Sequence, residues 1–329
     1  MLDSVKESIT ARESTLPPAF EAIDTHILRT GEATGFDIYA PHDIGKAPVV
    51  QCLGNVPFTA EIRGRLIADG MPLFITGKQR ESYKRYIEQH LSSIMEDTDV
   101  ALSEKARLAY EMAARLLQHL LQENTINGCM EQSRRLAADF VRLFKHEKKA
   151  LGQLMKTMGN QYGVSTHGVN VFIFSVSLAL KAGLGNEAVT RLGQGALFHD
   201  IGKRRISDDI LNRRGKLTPE QWRIMRKHPE FSADMLTAAD VNDTIVLDVA
   251  LHHHEKLNGK GYPDGLSGER VSKWARISAI ADIFDALTTH RSYNNAASSF
   301  DSLNIMIKEM TGEIDQELLR TFIKMIGSA

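Results

Sequence analysis

The segment Ala196-Leu-Phe-His199-Asp200-Ile-Gly-Lys203 is the most informative stretch of this 329-residue chain. It closes an apolar helical segment with a histidine that is directly followed by an aspartate. Adjacent helix positions point about 100° apart, so both side chains can reach one metal cluster. Imidazole is the commonest metal ligand in proteins, and a carboxylate can bridge two metal ions. The segment therefore predicts a metal site at the end of an apolar helix.

Further histidines and carboxylates follow at spacings that suit the same site. His228 comes with a second helix, predicted over Pro219–Lys227, and the run His252-His253-His254-Glu255 follows an apolar segment. Asp282 and Asp285 lie three residues apart on another predicted helix and so share one face, although both need not be ligands. A single histidine on a helix is more often structural than a ligand. The prediction of a metal site therefore rests on the grouping.

The pentapeptide His42-Asp-Ile-Gly-Lys46 repeats the letters of His199–Lys203 in the N-terminal part of the chain. It lies between Pro41 and Pro48 among strand-like segments, and no other histidine or aspartate accompanies it at a supporting spacing. We interpret this copy as a surface loop without metal.

Composition excludes several classes of protein. The chain is 43% hydrophobic and 25% charged, as in ordinary globular proteins, and not as in collagen-like, low-complexity or disulfide-rich ones. A net charge of -1 argues against a globally basic nucleic-acid binder. The longest apolar run, Val169–Leu180, is shorter than the roughly 20 residues of a membrane span, and the N-terminus lacks an apolar signal segment. We expect a cytoplasmic protein with no nucleic-acid partner and no membrane span.

The pattern along the chain predicts an α+β protein in three stretches. Residues 1–96 form a small β-rich accessory or regulatory domain, residues 97–140 a helical connector, and residues 141–329 an all-α domain. The amphipathic connector has two interpretations. It serves as a homodimer or signal-relay element, or it is a spacer packed on its own core.

Residues from about 141 to 300 resemble an HD-GYP domain, the bacterial branch of the HD phosphohydrolase superfamily. The match covers about half of the chain, in order and at family spacing. The matching segments are His199-Asp200-Ile-Gly-Lys203, Leu211-Asn-Arg-Arg-Gly215, His228-Pro229, His253-His254-Glu255, Gly261-Tyr262-Pro263, Asp282-Ile-Phe-Asp285-Ala-Leu and Arg291-Ser-Tyr293.

HD-GYP domains hydrolyse cyclic di-GMP at a cluster of two or three metals. The resemblance implies that Asp200 bridges the metals and that His252, outside the motif register, is not a ligand. Where the family has a glutamate for a third metal, this chain has Gly163, so we predict a binuclear centre. The implied ligands are His167, His199, Asp200, His228, His253, His254 and Asp282.

The donor set also bears on the kind of metal. Imidazoles and carboxylates without a thiolate suit iron, manganese or zinc better than magnesium or calcium. We expect two divalent ions, and the family resemblance favours iron or manganese over zinc.

Residues around these ligands are expected to handle substrate. Lys203, one turn beyond Asp200, can reach a metal-bound phosphate or the leaving oxygen. By resemblance, Arg291 would hold the second phosphate, and the loop with Gly261, Tyr262 and Pro263 would shape substrate entry and contact GGDEF-domain proteins. Asn170 stands where the family often has arginine.

Nine basic side chains lie between positions 203 and 227, a local excess that suits a ligand with two phosphates. Within this group, we interpret Arg223, Arg226 and Lys227 as a solvated helix face.

We therefore predict a metal-dependent phosphodiesterase in which a hydroxide bridging two metals attacks cyclic di-GMP, yielding pGpG and/or GMP. Three alternatives stay open. The first is a weak or inactive domain that binds a cyclic dinucleotide or a protein. The second is a phosphodiesterase for another cyclic dinucleotide such as 3′,3′-cGAMP, and the third is a nucleotide phosphohydrolase of the wider HD superfamily.

Overall fold

A computed structural model describes residues 20–41, 46–68, 70–122, 126–158, 164–213, 215–289 and 297–329. The predictions for residues 42–45, Gly163 and Arg291 concern positions outside these ranges. The chain divides into two compact units, Met1–Glu104 and Lys105–Ala329.

The N-terminal unit contains one antiparallel sheet with strand order β1-β4-β2-β3. In β2, Ile38 and Ala40 are buried while their neighbours are half-buried, the alternation of a strand that covers a core with one face. Tyr83 and Tyr86 of helix α2 pack edge-on against Phe36, each with ring centroids 5.5 Å apart. The elements are β1 (Phe20–Ile23), β2 (Ile38–Pro41), β3 (Pro48–Cys52), α1 (Ala60–Ala68), β4 (Leu73–Thr76) and α2 (Arg80–Glu96).

The described residues after α2 form mainly helices, which confirms the α+β class. A 3-10 turn, Ile201–Arg205, follows α7 after the two turn residues His199 and Asp200. The helices are α3 (Leu102–Gln122), α4 (Ile126–His146), α5 (Ala150–Thr157), α6 (Val164–Lys181), α7 (Asn186–Phe198), α8 (Asp208–Leu211), α9 (Pro219–Met225), α10 (His228–Ala238), α11 (Thr244–His252), α12 (Lys273–Thr288), α13 (Ser299–Glu309) and α14 (Gln316–Ile326).

Helix α6 is the centre of the helical unit. Its apolar residues occupy all sides, so the helix must be surrounded by protein, and it packs against α4, α7, α12 and α14. None of the helices in the part of the chain that the structure describes is both long and apolar enough to span a bilayer.

Helices α3 and α4 occupy most of the stretch predicted as a connector. Helix α4 packs against α6 and α7. From α3, Leu117 contacts Gly168 of α6 so closely that a Cβ at Gly168 would lie 2.5 Å from it. The apolar sides of both helices are buried within the helical unit.

The turn after α7 lies so close to the start of α10 that their backbones are in contact. A Cβ at Gly202 would lie 2.1 Å from the carbonyl oxygen of His228 and 2.5 Å from the amide nitrogen of Ser232. The Gly202 amide donates to Ser232 Oγ (2.8 Å), and this hydroxyl donates to the carbonyl of His199 (2.7 Å). Only glycine permits this approach, which brings Asp200 next to His228.

We expect Gly202→Ala to lower the free energy of unfolding by about 1–3 kcal/mol, because the methyl group must displace backbone. Urea unfolding of the metal-free chain, followed by circular dichroism, measures the loss. Gly64→Ala is the control, since Gly64 is an exposed residue of α1 with nothing within 4 Å of an added Cβ. An equal effect of the two substitutions would contradict the close approach at Gly202.

Candidate metal centre

All seven implied ligands converge in the helical unit. Their ligand atoms form three overlapping groups, and within each group these atoms lie within 4.8 Å of one another. The groups are His228, His253 and His254; His167, His199 and Asp282; and His199, Asp200 and His253.

Each ligand comes from the end or one face of a helix. His199 and Asp200 follow α7, and His253 and His254 follow α11, while His167 and Asp282 project from α6 and α12. The position of His228 differs from the sequence prediction. Helix α9 ends at Met225, and His228 is the first residue of α10, because two turn residues redirect the chain between them.

Asp200 lies between the imidazoles and is almost fully buried. Its Oδ1 is 3.2 Å from Nε2 of His228, and its Oδ2 is 3.3 Å from Nε2 of His199 and 3.5 Å from Nε2 of His167. Each carboxylate oxygen thus faces a different part of the cluster, as a bridging ligand requires.

Backbone carbonyls orient three of the imidazoles. The Nδ1 atoms of His199, His228 and His253 lie 2.7, 2.8 and 3.0 Å from the carbonyl oxygen of the residue three positions earlier. A carbonyl oxygen only accepts, so each Nδ1 carries the proton and donates it. Each Nε2 therefore directs a lone pair into the cluster, the tautomer that metal binding needs.

The inward atoms fit a cation. Nε2 of His228 and Nε2 of His253 lie 3.2 Å apart, so two lone pairs face each other. Within the described residues, His199 Nε2 and Asp200 Oδ1 are buried without a hydrogen-bond partner. Buried acceptors without donors are costly, and a metal ion between them removes that cost. The residues present thus fit divalent metal ions.

His167 is held between two aspartates of α12. Its Nε2 is 3.0 Å from Oδ1 of Asp282, and its Nδ1 is 2.6 Å from Oδ2 of Asp285. The two carboxylates share a face as predicted, but only Asp282 belongs to a candidate metal group. Asp285 instead accepts from the outer nitrogen of His167 and fixes the direction of the ring.

A buried hydrogen-bond chain leads from Asp285 to α3. Asn170 donates through Nδ2 to Oδ1 of Asp285 (2.7 Å), and Tyr110 donates to Oδ1 of Asn170 (3.2 Å). Asn170 stands where the family resemblance leads one to expect arginine. Its amide can both accept and donate here, which a guanidinium cannot do. Nothing in the spacing of the three residues along the chain indicates this contact.

The electrostatics favour the metal-binding protonation states. Burial lowers the pKa of His228 to about 3 and that of His254 to about 4, so both rings are neutral at pH 7. Burial opposes ionisation of Asp200, but the neighbouring Lys203 ammonium holds its pKa well below the usual range. Neutral imidazole and ionised carboxylate are the forms that bind metals.

The cluster opens to solvent beside His254, whose side chain is 26% exposed, whereas that of His228 is 2% exposed. The ring of Tyr262 lies 4.7 Å from that of His254, and Lys203 donates to Oδ2 of Asp200. Tyr262 and Lys203, both predicted to handle substrate, therefore lie at the cluster.

Glu255 holds the glycine-rich loop that carries Tyr262. This carboxylate is buried and accepts from the amides of Asp264 (2.7 Å), Gly265 (3.0 Å) and Leu266 (3.0 Å). A Cβ at Gly261 would lie 2.4 Å from the amide nitrogen of Lys256, so this glycine is needed for the loop to pass close to the chain. Sequence reasoning missed the role of Glu255, although its position next to His254 is a usable signal.

His252 lies outside the three metal groups, and its interpretation as a non-ligand stays a prediction. Its two nitrogens contact Asp248 (2.8 Å) and Asp264 (3.1 Å). Burial opposes its protonation, but the two carboxylates raise its pKa above the usual value.

The interpretation of Arg226 as part of a solvated face is incomplete. The side chain is exposed, but its guanidinium carbon lies 4.6 Å from the centroid of the Tyr262 ring. Spacing along the chain could not show this, because the contact depends on how the loop folds back.

A family model described as HD domain matches residues 89–318. The chain belongs to the HD domain family. The resemblance to the HD superfamily is thereby confirmed, and the fold is shared with a solved structure described as Bd1817, an HDG"Y"P protein from Bdellovibrio bacteriovorus. That likeness has a TM-score of 0.66 at 20% identity and covers 94% of this chain and 99% of the other.

Several curated relatives match about half of this chain. A Pseudomonas aeruginosa protein named cyclic di-GMP phosphodiesterase PA4108 is 35% identical over 56% of this chain and 44% of its own length. The Xanthomonas campestris response regulator RpfG, also named a cyclic di-GMP phosphodiesterase, is 34% identical over 55% of this chain and 49% of its own length. A Vibrio cholerae protein named 3'3'-cGAMP-specific phosphodiesterase 3 is 34% identical over 49% of this chain and 35% of its own length. This chain thus spans less than half the length of each.

Asp285→Asn is expected to weaken metal binding about 10- to 100-fold, because the outer nitrogen of His167 loses its anionic acceptor. Competition with a chelator measures the affinity. Asp248→Asn, which alters a similar carboxylate–imidazole pair at His252, is the matched control and is expected to leave metal affinity unchanged. If both variants bind metal like the parent chain, Asp285 does not position His167.

The metal-free chain is expected to lose stability as the pH falls from 7.5 to 5. His228 and His254 stay neutral in the folded state, whereas in the unfolded state they gain protons near pH 6.5, so acid favours unfolding. His252, with its raised pKa, acts in the opposite direction. Urea midpoints at the two pH values measure the change. His228→Asn should flatten the dependence, and an unchanged slope would argue against a neutral buried His228.

Proposed function

We propose that this chain is a metal-dependent phosphodiesterase that hydrolyses cyclic di-GMP to pGpG and/or GMP. The observation that carries the proposal is the convergence of five imidazoles and two carboxylates, with lone pairs directed into one buried cluster. The names of the Pseudomonas and Xanthomonas relatives support cyclic di-GMP as the substrate.

The centre is proposed to hold two divalent ions, iron or manganese in preference to zinc. The overlapping groups support two ions, with Asp200 facing both His228 on one side and His199 on the other. His167, His253, His254 and Asp282 would complete the ligand set. Bound there, divalent ions would polarise the phosphodiester and lower the pKa of water.

The protein's own residues would then orient the substrate and manage charge. Hydrolysis adds water to phosphorus and breaks the bond to the 3′ oxygen, on which negative charge develops. Lys203, with 14% of its side chain exposed beside Asp200, would stabilise that charge or assist protonation. Tyr262, Gly261 and Pro263 would form the entry wall next to His254. Arg291 is proposed, from the resemblance alone, to hold the second phosphate.

A second candidate substrate is 3′,3′-cGAMP, which the name of the Vibrio relative supports. Both cyclic dinucleotides contain a ring with two phosphodiesters, so the metal centre would not distinguish 3′,3′-cGAMP from cyclic di-GMP. A weak or inactive binding domain is the remaining alternative, and the complete ligand set argues against it.

Further assignments stay predictions from the sequence: a GGDEF-domain partner at the Gly261-Tyr262-Pro263 loop, a homodimer through residues 97–140, the boundaries of the three stretches, and a cytoplasmic location. Because the apolar sides of α3 and α4 are buried in the helical unit, a homodimer through this stretch would use their polar faces.

His199→Ala and Asp200→Asn are each expected to lower turnover of cyclic di-GMP at least about a hundredfold, since metal ions contribute several kcal/mol to such reactions. Chromatography of nucleotide products, with anaerobically prepared protein of known metal content, measures turnover of both cyclic dinucleotides. His42→Ala, in the repeated pentapeptide, is expected to retain full activity. A parent chain with two bound metals and no turnover would favour the binding-domain alternative.

A further inference from the structure

Arg226 lies at the opening of the metal cluster and has no role in the mechanism above. Its backbone amide donates to the carbonyl of Trp222 (3.0 Å) and so closes α9. The carbonyl of the preceding residue, Met225, accepts from Nδ1 of His228 (2.8 Å). The turn that carries Arg226 is therefore the turn that orients a candidate metal ligand, so the backbone of Arg226 is fixed relative to the cluster.

The side chain of Arg226 is held by an aromatic ring. Its guanidinium carbon is 4.6 Å from the centroid of Tyr262, and this ring is 4.7 Å from His254 and 6.4 Å from His228. One aromatic ring thus separates the cation from the imidazoles. Stacking occupies the flat face of a guanidinium, while its N–H donors lie in the plane and stay available to a ligand.

The charge of Arg226 has no anionic partner among the described residues. Two other arginines of the same basic group do have one: Arg205 pairs with Asp234 (3.5 Å), and Arg223 pairs with Glu220 (3.9 Å). An oriented guanidinium without a counter-ion, beside an anion-binding centre, is suited to phosphate, which it can bind through two parallel hydrogen bonds.

We propose that Arg226 binds the phosphate of the cyclic dinucleotide that does not lie at the metal cluster, with Tyr262 holding the guanidinium in place. The inference rests on the proposed function. The two phosphodiesters of the substrate belong to one ring, so when one is at the metals the other lies a short distance outside the imidazoles. Arg226 then selects substrates with two phosphates over simple diesters, and it acts alongside the proposed Arg291.

The test compares Arg226→Ala, Arg226→Lys and the matched control Arg223→Ala on cyclic di-GMP and on bis(p-nitrophenyl) phosphate, which has a single phosphate. Arg226→Ala is expected to raise the KM for cyclic di-GMP about tenfold or more, the effect of losing a charged hydrogen bond, with a smaller change in kcat. The KM for the single-phosphate diester is expected to change less. Arg226→Lys keeps the charge without the guanidinium and should restore part of the loss.

A second readout is independent of turnover. Calorimetry with the hydrolysis-resistant bisphosphorothioate analogue of cyclic di-GMP should show the same loss of affinity in Arg226→Ala, with metal content equal to that of the parent chain. Equal affinities of Arg226→Ala and Arg223→Ala would overturn the proposal, as would equal losses on the two substrates. If the parent chain binds the analogue but hydrolyses neither cyclic dinucleotide, the proposed activity fails while the binding comparison still decides the role of Arg226.

Discussion

Two imidazole nitrogens that face each other at 3.2 Å, those of His228 and His253, set the main constraint on the helical unit. Both carry lone pairs, and the ionised Asp200 lies beside them in a buried volume. Such a concentration of buried acceptors costs free energy, so the surrounding backbone must be rigid enough to keep the side chains from moving apart. The carbonyls that fix each Nδ1, and the glycine contact between the turn after α7 and α10, supply that rigidity.

The supports of the centre lie on the same elements as the ligands. Asp285 is one turn beyond Asp282 on α12, and Glu255 directly follows His254. Each element thus places a ligand and secures either another ligand or the substrate loop. A shift of α12 would move Asp282 together with Asp285, which accepts from His167. Both ligands would therefore change position at the same time.

The ligands were predictable from the sequence because they occur in short runs, such as His199-Asp200 and His253-His254, that matched a family pattern. Their supports were not, because a hydrogen bond such as that from Asn170 to Asp285 joins residues 115 positions apart. Periodicity indicates which face of a helix is polar but not which other helix it meets. The β-rich character of the first stretch followed from its residue pattern, while the order of the strands in the sheet did not.

The ion pair between Lys203 and Asp200 gives one ammonium group two anions to serve. It balances the charge of the central carboxylate within the fold, and the proposed reaction would call on the same group when charge develops on the leaving oxygen. Folding and catalysis would thus compete for one side chain, so a substitution at position 203 would change both together.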